Sequence, residues 1–319
     1  MELLYHPIYT QHDTGMHPEN KKRIRIFEGL PETQPMDGSS FLSLVHPPDY
    51  IEYIKDICKN GAGLDGDTVV CKDSYLAAAH AVGATIQASE HGNFALVRPP
   101  GHHAYAQKGS GFCLFNNIAI ASQRLVAEGK RVLIFDFDGH LGDGTSNIFY
   151  DTDQVMYISL HQYPAFPGGG FIKEIGKEKG KGFNVNFPLP PGSADDIFLD
   201  AMEHALGIAK QFQPDVVAVS AGFDAHQYDL LLDLRVSTSA FYKIGQMMKA
   251  SFDNVFATLE GGYNVQALRK SVLSFVAGFN DETPYIELEE QTFSGRIVWE
   301  TYEMYLHGSL GQLEPYWKM

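Results

Sequence analysis

Four short segments of this chain carry side chains whose types and spacing could hold a metal ion and move protons. The first, Leu133-Ile-Phe-Asp-Phe-Asp-Gly-His140, is an apolar run ending in two carboxylates and an imidazole. Asp138 and His140 lie two residues apart, so in extended geometry they leave the same face. One oxygen and one nitrogen donor make half of a divalent-metal site. The second segment, Gln213-Pro-Asp-Val-Val-Ala-Val-Ser-Ala-Gly-Phe-Asp224, repeats that design. Asp224 would complete a two-carboxylate, one-imidazole set with a position left for water, which is the catalytic kind of site. Read alone, Asp224 could instead cap a following helix, the weaker of the two readings. The third segment is Arg98-Pro-Pro-Gly-His-His-Ala104, after the apolar run Phe94-Ala-Leu-Val. Proline and glycine stop that run and hold His102 and His103 in a turn. Beside a metal, one imidazole could stay cationic while the other stays neutral and takes a proton from water. In the fourth, Leu259-Glu-Gly-Gly-Tyr263, a phenol could donate to a developing oxyanion.

Each of these groups sits just past an apolar run, and that shared position says what must hold them. Continuous apolar runs read as buried parallel strands, and ligands of open α/β sheets gather beyond the strands' carboxyl ends. Such runs alternate with helical stretches along all 319 residues, which predicts one α/β layer structure with a mostly parallel sheet. A helix is expected from Asn116 to Glu128, stopping before Gly129. Another is expected from Ser193, where Ser-Ala-Asp-Asp196 resembles a capping box, to about Gln211. The stretch Gly168 to Gly182 reads as a long functional loop rather than a boundary, so residues 1–319 are expected to form a single domain. The aromatic tail 287–319 should either pack on the body or make a subunit contact, the latter implying a homo-oligomer.

Composition narrows the function classes. A net charge of −15 argues against nucleic acid as a partner, because phosphate binding needs a basic patch. At 44% hydrophobic residues the chain can bury a sizeable core. Three widely spaced cysteines without a CxxC pair fit a reducing compartment. No apolar run is long enough to span a bilayer and no secretory leader pattern opens the chain, so a cytoplasmic protein with no membrane partner is expected.

The ordered motifs Arg98-Pro-Pro-Gly-His-His103, Gly111-Phe-Cys-Leu-Phe-Asn-Asn117, Asp136-Phe-Asp-Gly-His140, Ser220-Ala-Gly-Phe-Asp224 and Glu260-Gly-Gly-Tyr263 are highly specific together. With His12-Asp-Thr-Gly15 and His17-Pro-Glu19, the chain resembles the histone deacetylase and acetylpolyamine amidohydrolase superfamily, bacterial class II-like, over about residues 5 to 280. The resemblance implies an arginase-deacetylase fold, a three-layer α/β/α arrangement, and removal of acyl groups from acyl-lysine or a related acylated amine. It implies Asp138, His140 and Asp224 as ligands of Zn2+, with Fe2+ as the other ion such a set accepts. It assigns His103 as general base and acid and His102 as its electrostatic neighbour, oriented by Asp143 and Asp136 respectively, and Tyr263 as the carbonyl-polarising group. Gly111 and Phe112 would form one wall of the acyl-lysine tunnel and Phe166 the facing aromatic. A structural K+ is implied near Asp136, Asp138, Ser159 and the backbone of Leu160, and Arg23 matches an arginine behind the site. Gly63-Leu-Asp65-Gly-Asp67 resembles a rim loop, although a plain turn explains it equally well.

The family usually reads Asp-Val-His-His where this chain has Asp138-Gly-His140-Leu141. The ligand histidine is kept, so a working site is expected, while glycine at 139 should loosen the strand end by roughly 0.5–1 kcal/mol. Polyamine-selective relatives carry an acidic gatekeeper about seven residues after the last metal ligand; Leu231 stands there, which points to acyl-lysine or a small neutral acyl amide. An acetylpolyamine deacetylase and a catalytically impaired acyl-lysine binding protein are the alternatives. A binuclear manganese ureohydrolase would leave the His-His and Gly-Gly-Tyr elements without a role.

Overall fold

The computed structural model describes residues 1–61, 63–284 and 286–318. Seven strands among the described residues form one sheet: β1 (Leu3–Tyr5), β2 (Phe94–Leu96), β3 (Val132–Asp136), β4 (Val155–Gln162), β5 (Asn184–Leu189), β6 (Val216–Ala221) and β7 (Val255–Leu259). Their order is β1-β2-β7-β6-β3-β4-β5, and every neighbouring pair is parallel. The expected mostly parallel sheet is thus parallel throughout. Residues of β3, β4 and β6 are buried from end to end, as strands covered by helices on both faces require.

The helices are α1 (Lys22–Arg25), α2 (Pro48–Asn60), α3 (Ser74–His91), α4 (Asn117–Ala127), α5 (Asp143–Ile148), α6 (Asp195–Phe212), α7 (Thr238–Ser251), α8 (Val265–Phe279) and α9 (Arg296–Leu313). α3 and α4 cover one face, where the Thr85 and Thr258 hydroxyls meet at 3.0 Å. α6, α7 and α8 cover the other, where Phe94 and Phe137 of the sheet layer pack on Phe275 and Phe241. This is the three-layer arrangement. The strand order reverses between β3 and β6: from β3 the chain winds outward through β4 and β5, then returns beside β3 and winds the other way through β7. A crevice opens where neighbouring strands diverge in this way.

Local sequence explains one helix start and misreads another. Asn116 caps α4 by accepting the Ala119 N–H at 3.0 Å. The capping box expected at Ser193 does not form, because the Ser193 hydroxyl donates to the Pro190 carbonyl instead. Helix α6 begins at Asp195, and its entering N–H groups reach across the fold. Ala194 N–H donates to Ser294 Oγ at 2.9 Å and Asp195 N–H to Thr292 Oγ1 at 3.1 Å. A tertiary partner thus supplies the cap that the local sequence seemed to offer. Beyond that strap α9 lies against β5. Trp299 and Tyr302 donate to Asp196 and Asp200, and Trp317 donates to the Gly182 carbonyl, so the aromatic tail packs on the body. Among the described residues, no helix is long and apolar enough to cross a membrane, and the three cysteines are free thiols.

Candidate active site

Four adjacent strands deliver the site from their carboxyl ends. β3 runs into Asp138 and His140, β6 into Asp224, β7 into Glu260 and Tyr263, and β2 into the His102-His103 turn. The ligand atoms of Asp138, His140 and Asp224 all lie within 4.8 Å of one another, and all three residues are buried. Backbone amides aim them. Gly139 N–H donates to Asp224 Oδ1 at 2.7 Å, Gly261 N–H to Asp138 Oδ2 at 2.7 Å, and His140 N–H to Asp138 Oδ1 at 2.9 Å. His140 Nδ1 faces Asp224 Oδ2 at 2.7 Å. Two glycines make room for this packing. A Cβ at 222 would run into the Asp138 carboxylate, and one at 261 would sit 2.5 Å from Asp224 Oδ2.

The charges of this triad ask for a cation. Burial and the neighbouring Asp138 push the Asp224 carboxyl up to about 7. Burial pulls His140 down, but Asp224 and Asp138 outweigh it and raise the imidazole to about 10. Two carboxylates forced together out of water repel, and a divalent ion between them removes that repulsion. The donors therefore fit such an ion, with a mixed oxygen and nitrogen set that suits several metals.

The two neighbouring imidazoles stand 4.0 Å apart between ring centroids. His102 Nδ1 meets Asp136 Oδ2 at 3.1 Å, and His103 Nδ1 meets Asp143 Oδ1 at 2.7 Å. Burial disfavours a charge on His102, but Asp138, Asp136 and Glu260 outweigh it and hold the ring well above the ordinary histidine value. Burial and the His102 cation instead bring His103 down to about 4. One ring is thus charged and its neighbour neutral. The Tyr263 phenol is held well above its usual value by burial, so it stays protonated and able to donate.

A cleft of about 400 Å³ opens onto these groups, and His103, His140, Phe112, Phe166, Leu231 and Tyr263 are among its lining residues. Gly111 and Phe112 both adopt left-handed backbone, with φ of +52° and +70°. That conformation is rare for phenylalanine. It turns the Phe112 ring edge-on to Tyr263 at 5.6 Å. Across the cleft Phe166 stands edge-on to His103 at 5.1 Å and is half-exposed. Asp65 and Asp67 also line the cleft, and Asp65 Oδ1 accepts the Asp67 and Thr68 N–H groups as a turn would require.

The family model for the histone deacetylase domain matches residues 17–279. The chain belongs to the histone deacetylase family. It is a deacetylase, a hydrolase acting on amide bonds. A probable deacetylase of Methanothermobacter thermautotrophicus is 38% identical, the match covering 88% of this chain and 91% of the relative. The acetylpolyamine amidohydrolase of Burkholderia pseudomallei is 33% identical over 86% of this chain and 82% of its own. The crystal structure of the HDA15 HD domain superposes with a TM-score of 0.88 at 30% identity, covering 98% of both chains. That of the Burkholderia pseudomallei acetylpolyamine aminohydrolase gives 0.80 at 28%, covering 88% of this chain and 99% of the other.

The departures of this deacetylase from the usual Asp-Val-His-His pattern have local compensations. A Cβ at Gly139 would collide with Leu232, whose side chain fills the space. The backbone of that glycine is held at both ends, since its N–H donates to Asp224 and its carbonyl accepts from Gln162 N–H at 2.8 Å. Leu141 is buried and packs against Gly169 and Gly170 of the long loop. Ser159 pairs in register with Asp136, while its hydroxyl bonds His161 Nδ1 at 2.8 Å; Leu160 follows it, buried, on β4. Arg23 is buried behind Tyr263, its guanidinium 5.1 Å from the ring, and bonds Glu19 and the Glu260 and Gly262 carbonyls.

Three residues of the deacetylase site escaped the sequence reading. Tyr105 donates to Asp143 Oδ2 at 2.8 Å, the oxygen that His103 leaves free, and Tyr157 donates to Asp136 Oδ2 at 2.9 Å, the oxygen that also faces His102, so each histidine's carboxylate also holds a phenol. Glu260 stands out in the sequence only as part of a motif. Its carboxylate accepts the Gly101 and His102 N–H groups at 2.7 and 3.1 Å and the Ser220 hydroxyl at 3.2 Å, binding the histidine turn to β7. Tyr105 adjoins the His-His pair, but its partner lies 38 residues away, and no spacing rule marks it.

Proposed function

We propose that this deacetylase hydrolyses the amide of an acyl-lysine side chain, or of a small neutral acylated amine. It would use one divalent ion, zinc or else ferrous iron, held by Asp138, His140 and Asp224. The observation that carries this reading is the buried donor triad at the floor of an aromatic-walled cleft whose other polar groups include a neutral imidazole and a protonated phenol. When bound, such an ion polarises the acyl carbonyl and lowers the pKa of water from about 15.7 to roughly 7. His103 donates Nδ1–H to Asp143, which leaves Nε2 as its free acceptor. Through Nε2 it takes the water's proton and later returns one to the departing amine. Tyr263 donates a hydrogen bond from its phenolic O–H to the oxyanion as the carbonyl carbon becomes tetrahedral. His102, kept cationic by Asp136 and Asp138, adds fixed positive charge beside the reaction. Phe112 and Phe166 flank the narrow acyl-lysine stem and exclude water from it. Asp136, Asp138, Ser159 and the Leu160 backbone are the groups proposed for a structural potassium, supported by the register that sets β4 beside β3.

An acetylpolyamine is the second reading, favoured by the Burkholderia relative and by the carboxylates of Asp65 and Asp67 in the cleft lining. The uncharged Leu231 at the mouth favours the first. Turnover should be measured on acetyl-lysine peptides, longer acyl-lysine peptides and N-acetylputrescine, with and without a chelator, alongside metal counting. Chelator-sensitive turnover with one transition metal per chain and a preference for acyl-lysine is expected. Preference for N-acetylputrescine would move the assignment to the second reading. Acyl-lysine binding without turnover would overturn both.

A further inference from the structure

Asp229 lies on the loop between β6 and α7, five residues past Asp224 and two before Leu231. Its carboxylate accepts four backbone N–H groups from two separate parts of the site. Oδ2 takes Tyr263 N–H at 2.6 Å and Asn264 N–H at 3.0 Å. Oδ1 takes Leu230 N–H at 2.7 Å and Leu231 N–H at 3.2 Å. A second tie runs the same way, because the Asn264 amide donates to the Tyr228 carbonyl at 2.8 Å.

The Tyr263 turn needs such support. Gly261 and Gly262 precede the tyrosine, and Gly262 has a φ of +119° that only glycine adopts readily. Backbone of this kind is permissive, so something outside the turn must fix the direction in which the phenol leaves it. Hydrogen bonds to a carboxylate are roughly twice as strong as neutral ones. Their acceptor here is anchored at the other end to the rim that carries Leu231. We infer that Asp229 is a positioning residue, whose single carboxylate fixes the Tyr263 turn and the Leu230-Leu231 rim relative to each other. The inference rests on the role proposed above for the Tyr263 phenol. Asp229 touches no reacting atom and acts through where it puts that phenol.

The test is Asp229→Asn, nearly the same in shape, made both in the unaltered protein and in a Tyr263→Phe background. An asparagine can accept on one side only and turns an NH2 group toward the other pair of N–H groups. In the otherwise unaltered protein kcat should fall roughly 10- to 100-fold, since a displacement of about 1 Å has effects of that order. KM should change by less than about threefold and metal per chain should stay the same, as expected for an interaction realised only in the transition state. With the phenol already removed, the same substitution should change kcat by less than about threefold, because residues acting through one group are non-additive. An equal factor in both backgrounds overturns the inference in favour of a general structural role. Normal kcat in Asp229→Asn, beside an impaired Tyr263→Phe, overturns it while leaving the mechanism intact. Full activity in Tyr263→Phe removes the mechanism, and the inference with it. Should Asp229→Asn not fold, amide exchange in the unaltered protein decides. The Tyr263 and Asn264 amides should be protected, and exchange at the rate of free loop amides overturns the inference.

Discussion

Gly111 shows how much of this site depends on a side chain that is missing. Its φ is +52°, and a Cβ there would lie 2.5 Å from His103 Cδ2, so the imidazole packs directly on the glycine backbone. Gly111→Ala adds a methyl group in that gap and a left-handed residue costing about 1–2 kcal/mol. The His103 ring must move away from its place beside Asp143. We expect kcat to fall on the order of 10²-fold with bound metal unchanged, because the imidazole proposed as general base is displaced while the proposed ligand triad is not. Steady-state kinetics with metal analysis checks this, and a wild-type kcat would show that the ring is not held by that contact. Tyr263→Phe removes the phenol proposed as oxyanion donor and leaves the ring's packing on Phe112 and Arg23 in place. Its kcat should fall on the order of 10²–10³-fold with KM little changed. Unaltered kcat would remove the phenol from the chemistry. At this scale the sequence was most readable where chemistry and strand pattern coincide: Asp138, His140 and Asp224 each follow an apolar run that announces a strand end. Tyr105, Tyr157 and Asp229 were unreadable, because their meaning lies in partners distant in sequence.

His46 carries the argument at the scale of elements. It precedes α2, its Nδ1–H donates to the Ala106 carbonyl at 3.0 Å, and its Nε2 accepts the Asn116 N–H at 3.0 Å. One ring therefore ties the segment after the histidine turn to the cap of α4 and to the start of α2. Only a neutral imidazole can do this, because a second N–H would point at the Asn116 N–H. Burial lowers the ring to about 4 against its ordinary 6.5, despite the Ala106 carbonyl. The sign follows from proton binding: between those values the unfolded chain takes up a proton that the folded ring refuses. This contribution to stability is complete above about pH 6.5 and is lost as pH falls toward about 4, reaching about 3 kcal/mol at the limit. Denaturant unfolding at a series of pH values should show His46→Gln less stable at pH 7.5 but with a shallower decline on acidification. Parallel curves for the two proteins would refute the role. Elements also mark where sequence pattern failed. Ser193-Ala-Asp-Asp196 has the local form of a cap, but α6 takes its caps from Thr292 and Ser294, nearly a hundred residues later. A cap drawn from local sequence competes with any tertiary partner that reaches the same N–H groups, and here the partner prevails.

For the whole molecule, the sheet's reversal between β3 and β6 is what converts separate motifs into one site. Strands adjacent in the sheet but far apart in the chain place Asp138 and His140 beside Asp224. The fold therefore concentrates two buried carboxylates where hydrophobic packing alone would place none, a cost that a bound cation offsets. An ion held by this triad would consequently link folding to metal binding. A ligand binding only the native state adds RT ln(1 + [L]/Kd), about 4 kcal/mol at a thousandfold excess over Kd. A chain of 319 residues has an unfolding entropy large enough that this corresponds to roughly 6 °C in Tm. Chelation should lower Tm by several degrees and return of zinc should restore it, in proportion to the logarithm of free ion once the site is saturated. Asp224→Ala should bind no metal and show no chelator effect on Tm. If the chelator lowered Tm equally in wild type and Asp224→Ala, the stabilising ion would be bound somewhere other than this triad. That outcome would detach the ion from the strand ends on which the catalytic reading depends.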